Sequence, residues 1–396
     1  MVNTDQSGAF NVVPHSILLM KLRKCNVGET TLKMLESYLH GRTNRTTVGG
    51  YVSSQLPVPD GVPEGSILGP LLYSVGQIDV GVCTEQAKER VECLHNVPDQ
   101  GDGQVDTFQP PVVEMDHVEY ADDCSSLLAG KTMTELQIGI NLMMEEYLGY
   151  FSCNGLAINV QKTNIICFRP HAQFDQQKIT YDGKVEINTC KLLGVVFDRN
   201  YTFSVHVSRI KHSVKDKIKK LKKVKFWMDK DTRKEVYSSV CKSVVEYCLD
   251  IYGRLDGSRK ILQVTCNKIY REILLKDRYT RIVDLHNELG YLSVNNMYRY
   301  LLMMNLLNLL NYETSPFTYK QLVLEDRLYK TRNRFLNTKF VATVETVRNS
   351  WIIRATDTWN KLQCFKIKFV KPELYKEEIK GKIREKFPNI SNDKLV

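Results

Sequence analysis

The sequence predicts an α+β fold, an antiparallel sheet with covering helices that gives way to helices alone, and three observations point to it. Val112, Val113, Met115 and Val118, and then Cys124 to Leu128, form two β-prone runs on either side of Asp122-Asp123, the pattern of a hairpin with an acidic tip. From Val207 onward the apolar residues recur at helical spacing instead. A chain of 396 residues with 43% hydrophobic content is long enough for two or three domains with real cores.

In chain order, Met1 to Thr4 is a fragment of strand, and Asp5 follows it directly. His15 to Leu22 opens a helix capped near Pro14 to Ser16. Thr30 to Leu39 is a second, with Leu32, Leu35 and Leu39 on one face and Gly41 as its stop. Together they are expected to cover one face of the sheet. Thr46 to Ser53 is a β segment. In Gly61 to Tyr73, Gly65 and Ser66 precede a helix, a place where backbone N–H groups reach phosphate or sugar oxygens, although by itself a Gly/Pro-rich turn is more often only a loop. Thr84 to Pro111, punctuated by Gly101-Asp102-Gly103 and Pro110-Pro111, is expected to be a mobile surface loop. At the hairpin tip two carboxylates with no basic neighbour repel each other unless a divalent cation lies between them, and hard oxygen ligands suit magnesium or manganese. An ordinary acidic surface turn is the alternative.

The second part is predicted to be helical throughout. Val207, Ile210, Val214, Ile218, Leu221 and Val224 form one face of a helix whose other faces carry Lys219, Lys220, Lys222 and Lys223. Asp231 to Asp250 is expected as a helix burying Val236, Val240, Val244 and Tyr247, and Lys260 to Leu275 as another with Ile261, Val264, Ile269 and Ile273 as its stripe. Leu285 to Asn311, Glu345 to Leu362 and Pro372 to Lys386 are helical patterns. Arg327, Lys330, Arg332 and Arg334 line a connection, with Tyr329 and Phe335 among them. The net charge of +10 is uneven, with acids frequent up to Asp123 and lysines dense after Arg209, so nucleic acid is the first candidate partner. Eleven cysteines without a Cys-x-x-Cys pair or zinc spacing, and no signal peptide ahead of them, indicate reduced thiols in the nucleus or cytoplasm. Tyr300 to Leu310 is too short to span a bilayer and is interrupted by Asn305 and Asn308, so a buried helix is expected there.

Taken in order, three stretches resemble the palm motifs of reverse transcriptases, most closely those of non-LTR, LINE-like retrotransposons. They are Asp5-x-x-x-Ala9-Phe10 with the His15-x-x-Leu18-Leu19 helix, Gly61-Val62-Pro63-x-Gly65-Ser66-x-Leu68-Gly69-Pro70, and Tyr120-Ala121-Asp122-Asp123. Gly155 to Thr163 is similar to that family's fourth motif, Leu192-Leu193-Gly194-Val195 to its fifth, and Glu288 to Ser293 and Trp359 to Leu362 to the tail of such proteins. The resemblance implies a partial palm over residues 1–200, a helical thumb over 201–284 and a helical C-terminal region over 285–396. It implies RNA-directed DNA synthesis from a primer 3′ hydroxyl on an RNA template with deoxynucleoside triphosphates. Asp5, Asp122 and Asp123 would hold two magnesium ions, or manganese in their place, and Lys162 would protonate the leaving pyrophosphate. Phe10 would pack under the incoming sugar, and Gly65 and Ser66 would meet the nucleotide. The thumb lysines would neutralise phosphates, and no membrane is involved.

Three departures accompany the match. Asn11 stands where the family usually repeats an Asp, Glu64 where it usually has Gln, and the segment between the second and third motifs is long. A carboxylate at Glu64 is repelled by a triphosphate unless protonated or paired. Fingers and endonuclease domains have no counterpart ahead of Asp5, so the chain is expected to be N-terminally truncated. An exposed sheet edge beside Asp5 and little catalysis by the chain alone follow from that. The second expectation is a non-catalytic, nucleic-acid-binding remnant.

Overall fold

β1 (Val2–Thr4) is three residues long, yet it lies inside a sheet. In the computed structural model, which describes residues 1–93, 113–168, 178–312, 322–325, 335–338, 351–362 and 376–386, the chain divides into two units, Met1–Leu192 and Leu193–Val396. The first is built on a four-stranded antiparallel sheet in the order β2-β3-β1-β4, where β2 is Val113–Tyr120, β3 Asp123–Gly130 and β4 Asn164–Ile165. β1 pairs with β3 in the register Val2↔Ser126, Asn3↔Ser125, Thr4↔Cys124, and on its other side with β4. The sheet edge expected beside Asp5 is therefore not there: β2 and β4 are the edges, and the strand leading to Asp5 is held from both sides.

Five helices accompany the sheet, α1 (His15–Lys24), α2 (Glu29–Leu39), α3 (Gly69–Gly76), α4 (Gly81–Cys93) and α5 (Met133–Cys153); α4 and α5 pack on its strands, and α1 packs on α2 and α3. α5 starts at a capping box in which Glu135 N–H donates to Thr132 Oγ1 at 3.1 Å and Thr132 N–H to Glu135 Oε2 at 2.9 Å. Further along α5, fully buried Tyr147 receives a hydrogen bond from Ser126 Oγ of β3 at 3.2 Å, and its hydroxyl lies 3.4 Å from Thr84 Oγ1 of α4. Helix, sheet and helix thus meet at one satisfied polar point inside an apolar core. The β segment expected around Thr46 to Ser53 is a tight hairpin, Thr47–Val48 against Tyr51–Val52, turned by Gly49 and Gly50 with positive φ.

Part of the expected loop from Thr84 to Pro111 is helical. Cys83, Thr84, Ala87 and Val91 recur at helical spacing on the buried face of α4, a stripe hidden in the sequence by its Glu and Lys neighbours. The remainder, residues 94–112, lies outside the described residues.

The second unit is mainly helical: α6 (Ser204–Leu221), α7 (Lys230–Tyr237), α8 (Ser243–Glu246), α9 (Leu249–Tyr252), α10 (Asp256–Leu274), α11 (Ile282–Leu289), α12 (Val294–Tyr312), α13 (Trp351–Leu362) and α14 (Lys376–Lys386). Val207, Ile210, Val214 and Ile218 of α6 are buried as expected, but the helix ends at Leu221 and leaves Val224 exposed. Between α7 and α8 lies a π-helical turn, Ser238–Lys242, and the buried face is already set ahead of it at Arg233 and Tyr237. Tyr237, Cys241, Val245 and Leu249 are buried in place of Val236, Val240, Val244 and Tyr247. The wider i→i+5 turn keeps residues four apart in line, where an α-helix would carry them off the face. Leu302, Met303, Leu306, Leu307 and Leu309 bury the apolar run of α12. Arg327, Tyr329, Lys330, Arg332 and Arg334 lie outside the described residues.

The cysteines among the described residues are free thiols, and no helix among those residues is long and apolar enough to cross a membrane.

Candidate active site and nucleic-acid interface

The acidic tip is a two-residue hairpin turn. Tyr120 pairs with Asp123, leaving Ala121 and Asp122 at the tip, with Ala121 at φ 54°. A left-handed conformation on a residue with a Cβ is a strained local choice, and here it presents Asp122 beyond the end of the sheet. Asp5 leaves β1 next to the start of β3, because the last pair in register is Thr4 with Cys124 and Asp5 and Asp123 are their immediate neighbours, close enough for the Asp5 charge to act on Asp123. Adjacent strands thus deliver two carboxylates to one face, and the turn adds the third.

Their proximity registers electrostatically. Burial first, then the charges of Asp122 and Asp5, raise the Asp123 carboxyl above its ordinary value, with Lys191 pulling the other way. A carboxyl whose folded pKa is raised stabilises the fold when protonated and loses that contribution as pH rises through the folded value. In divalent-free buffer at neutral pH, Asp123→Asn is therefore expected to melt above the wild type, and the difference to shrink as pH falls and Asp123 takes up its proton. Melting curves across that range check it; a lower melting point at neutral pH would show that the carboxylates do not repel.

Lys162 comes to the same place through backbone pairing. Asn159 N–H donates to Asp5 O at 2.8 Å, and Lys162 and Thr163 N–H both turn back onto Asn159 O at 3.0 Å. This puts Lys162 Nζ 3.2 Å from Asp5 Oδ2, an ion contact whose angle does not make it a hydrogen bond, with the lysine mostly exposed and the aspartate largely covered. Sequence alone left Lys162 equally readable as an exposed turn lysine.

Phe10 and the Gly65-Ser66 turn are joined to each other as well. Val62 N–H donates to Phe10 O at 2.7 Å, Gly61 N–H to Val13 O at 2.8 Å, and His15 Nε2 lies 2.7 Å from Gly61 O. Gly61 makes this approach possible: its φ is +85°, and a Cβ there would stand 2.5 Å from Asn11 O. Gly61→Ala is expected to destabilise the fold by ~2–4 kcal/mol through strain and overlap, measured by denaturant unfolding; a loss near zero would contradict this packing. The Phe10 ring stacks on buried Tyr73, with centroids 4.4 Å apart and planes at 24°. Tyr73 is itself near the acidic tip, for burial and then the Asp122 charge push its phenol well above the ordinary value.

Gly65, at φ +73°, has open space where a Cβ would be, so its backbone is accessible to a ligand. The Ser66 hydroxyl is engaged inside the turn, donating to Pro63 O at 2.8 Å and accepting from Gly69 N–H at 2.9 Å, which ties the turn to the start of α3. Sequence reasoning missed the contact between two of the departures: Asn11 Nδ2 donates to Glu64 Oε1 at 2.7 Å. Their separation of 53 residues leaves no local signal.

Among the described residues no three His, Cys, Asp or Glu side chains are already closed around one metal position. The carboxylates nevertheless fit a divalent cation in kind: all their donors are hard oxygens, and, after burial, the charges of Asp122 and Asp5 raise the Asp123 carboxyl, a repulsion that a cation would relieve.

In the second unit a groove of about 740 Å³ runs between α6 and α10. Lys211, Lys215, Lys219 and Lys222 line one wall and Lys268 and Arg271 the other. Ile261 and Val264, expected in the core, instead form its apolar floor at 46% and 42% exposure. Lys220 and Lys223 are not among the lining residues, and Lys222 is partly neutralised by Glu272 at 2.9 Å. The cationic surface is thus made by two helices, a partnership the α6 sequence alone could not reveal.

A sheet that delivers Asp5 beside an Asp122-Asp123 hairpin, flanked by a lysine turn and a glycine loop, defines a polymerase palm, and through residues 1–197 the chain belongs to the family "Reverse transcriptase (RNA-dependent DNA polymerase)". As a family these enzymes depend on divalent metal ions. Over 303 residues, 72% of this chain, it is 26% identical to the RNA-directed DNA polymerase from mobile element jockey of Drosophila melanogaster. It is similarly 25% identical, over 73% of its length, to the probable RNA-directed DNA polymerase from transposon X-element of the same fly. The chain spans about three tenths of the length of these relatives, 29% and 30% respectively.

Proposed function

We propose that this chain carries the nucleotide-adding domain of a non-LTR retrotransposon reverse transcriptase, extending a DNA primer on an RNA template. The observation that carries the reading is the meeting of Asp5, Asp122, Asp123 and Lys162 at one end of the sheet. In nucleotide addition the primer hydroxyl attacks an α-phosphate in line while pyrophosphate departs, and negative charge grows on both oxygens. Asp5 and Asp122 would hold two magnesium ions, with Asp123 as the supporting carboxylate; bound there, the ions supply charge stabilisation to the attacking and leaving oxygens. Lys162, released from Asp5, is positioned to give a proton to the departing pyrophosphate. Phe10, backed by Tyr73, presents a ring edge to the sugar, and the open backbone at Gly65 receives the nucleotide.

A second reading, nucleic-acid binding without catalysis, is favoured by the α6–α10 groove. Its cations are set around an apolar floor in a geometry that suits a phosphate backbone and reads no bases. Primer extension on an RNA template with magnesium and deoxynucleoside triphosphates separates the two. Template-dependent extension is expected from the polymerase; duplex binding without extension would leave only the second reading.

A further inference from the structure

The two residues that depart from the family pattern around the nucleotide loop are hydrogen-bond partners. Asn11 Nδ2 donates to Glu64 Oε1 at 2.7 Å. Where the resemblance gives Asp at the first position and Gln at the second, the chain has an amide and a carboxylate in exchanged places. The sum of charge is the same, and so is the bond type, one amide donor facing one carboxylate acceptor, which is stronger than a bond between two neutral groups. The two single exchanges differ. Asp at the first position would set two carboxylates face to face, while Gln at the second would leave a weaker bond between two neutral amides.

We propose that Asn11 and Glu64 form a charge-exchanged positioning pair that holds the Gly65-Ser66 turn on the Phe10 segment and keeps the Glu64 carboxylate turned away from an incoming nucleotide. The backbone around the pair enforces the meeting: Val62 N–H donates to Phe10 O at 2.7 Å, and Gly61 packs directly on Asn11 O. The side-chain bond is the clasp between segments already seated backbone to backbone. It also bears on the repulsion expected of Glu64: the carboxylate keeps its charge, but Asn11 fixes where one of its oxygens lies. The effect on the nucleotide rests on the polymerase reading; the pairing does not.

The test compares wild type, Asn11→Asp, Glu64→Gln and the double variant by amide hydrogen exchange in the free protein, following the peptide over residues 60–68 with α5 as internal reference. Asn11→Asp is expected to speed exchange in that peptide roughly threefold to tenfold, as loss of one charge-assisted bond at an exposed site should. The double variant is expected to return it to the wild-type rate while α5 is unchanged throughout. Asn11→Ala, which removes the bond without adding a charge, gives a second reading should Asn11→Asp perturb α5. An unchanged peptide in Asn11→Asp, or a double variant as fast as the single one, overturns the pair. In primer extension the same Asn11→Asp change is expected to raise KM for the nucleotide by a similar factor with kcat held, and Glu64→Gln to restore it. Faster exchange with an unaltered KM overturns the positioning role. Absence of extension from the wild type counts against the polymerase reading and is told apart by the exchange result.

Discussion

Asp122→Asn is expected to lower RNA-templated primer extension by at least ~10³-fold in kcat with little change in duplex affinity. Asn keeps the size and the turn geometry of Asp122 but removes the charge that would hold a cation against the reacting phosphate. The fold should not suffer, since Asp123 is destabilised by the Asp122 charge and the substitution relieves it. A lost rate with an intact melting point is therefore the signature to look for. A variant that extends primers at the wild-type rate would place Asp122 outside the chemistry, and one that melts well below the wild type would contradict the relief of repulsion.

Changing Lys211, Lys215, Lys219 and Lys268 together to Gln is expected to weaken binding to an RNA–DNA duplex by roughly 10²–10³-fold near 0.1 M salt. The slope of log affinity against log salt should fall by about 3. All four side chains are exposed and line the α6–α10 groove, so the change removes charge without opening a core. Lys220→Gln with Lys223→Gln, at the end of α6 and just beyond it but outside the groove, is expected to have a much smaller effect. Equal losses from the two sets, measured by fluorescence anisotropy over a range of salt, would show that diffuse charge and not the groove does the binding.

What could be read in advance follows from how local each signal is. The hairpin at Asp122-Asp123 was legible because its alternation and its acidic tip lie within one short stretch, and α6 because its apolar period survives among lysines. β1 was read as a strand fragment, but its place inside the sheet was not legible, because it depends on partners such as Cys124, 120 residues along the chain. The same non-locality hid the approach of Lys162 to Asp5 and the bond from Asn11 to Glu64. The stripe of α7 lies one residue from the expected Val236 before the π turn begins, and the turn then carries it on through Cys241 and Val245 at a spacing that a regular helical count cannot anticipate. Ile261 and Val264 fit a helical stripe, but burial depends on whether another element lies over them, and at the groove floor none does.

The most direct measurement of the central claim, that Asp5, Asp122 and Asp123 form one divalent-cation site, is a Mn²⁺ titration of the free protein followed by electron paramagnetic resonance. The wild type is expected to bind, and Asp5→Asn, Asp122→Asn and Asp123→Asn each to weaken binding by at least about tenfold, as loss of a charged oxygen ligand should. Asp116→Asn, on the same hairpin but roughly 13 Å along β2 from Tyr120, should leave it unchanged. Mn²⁺ bound equally well by all four variants, or not bound by the wild type, would contradict the account.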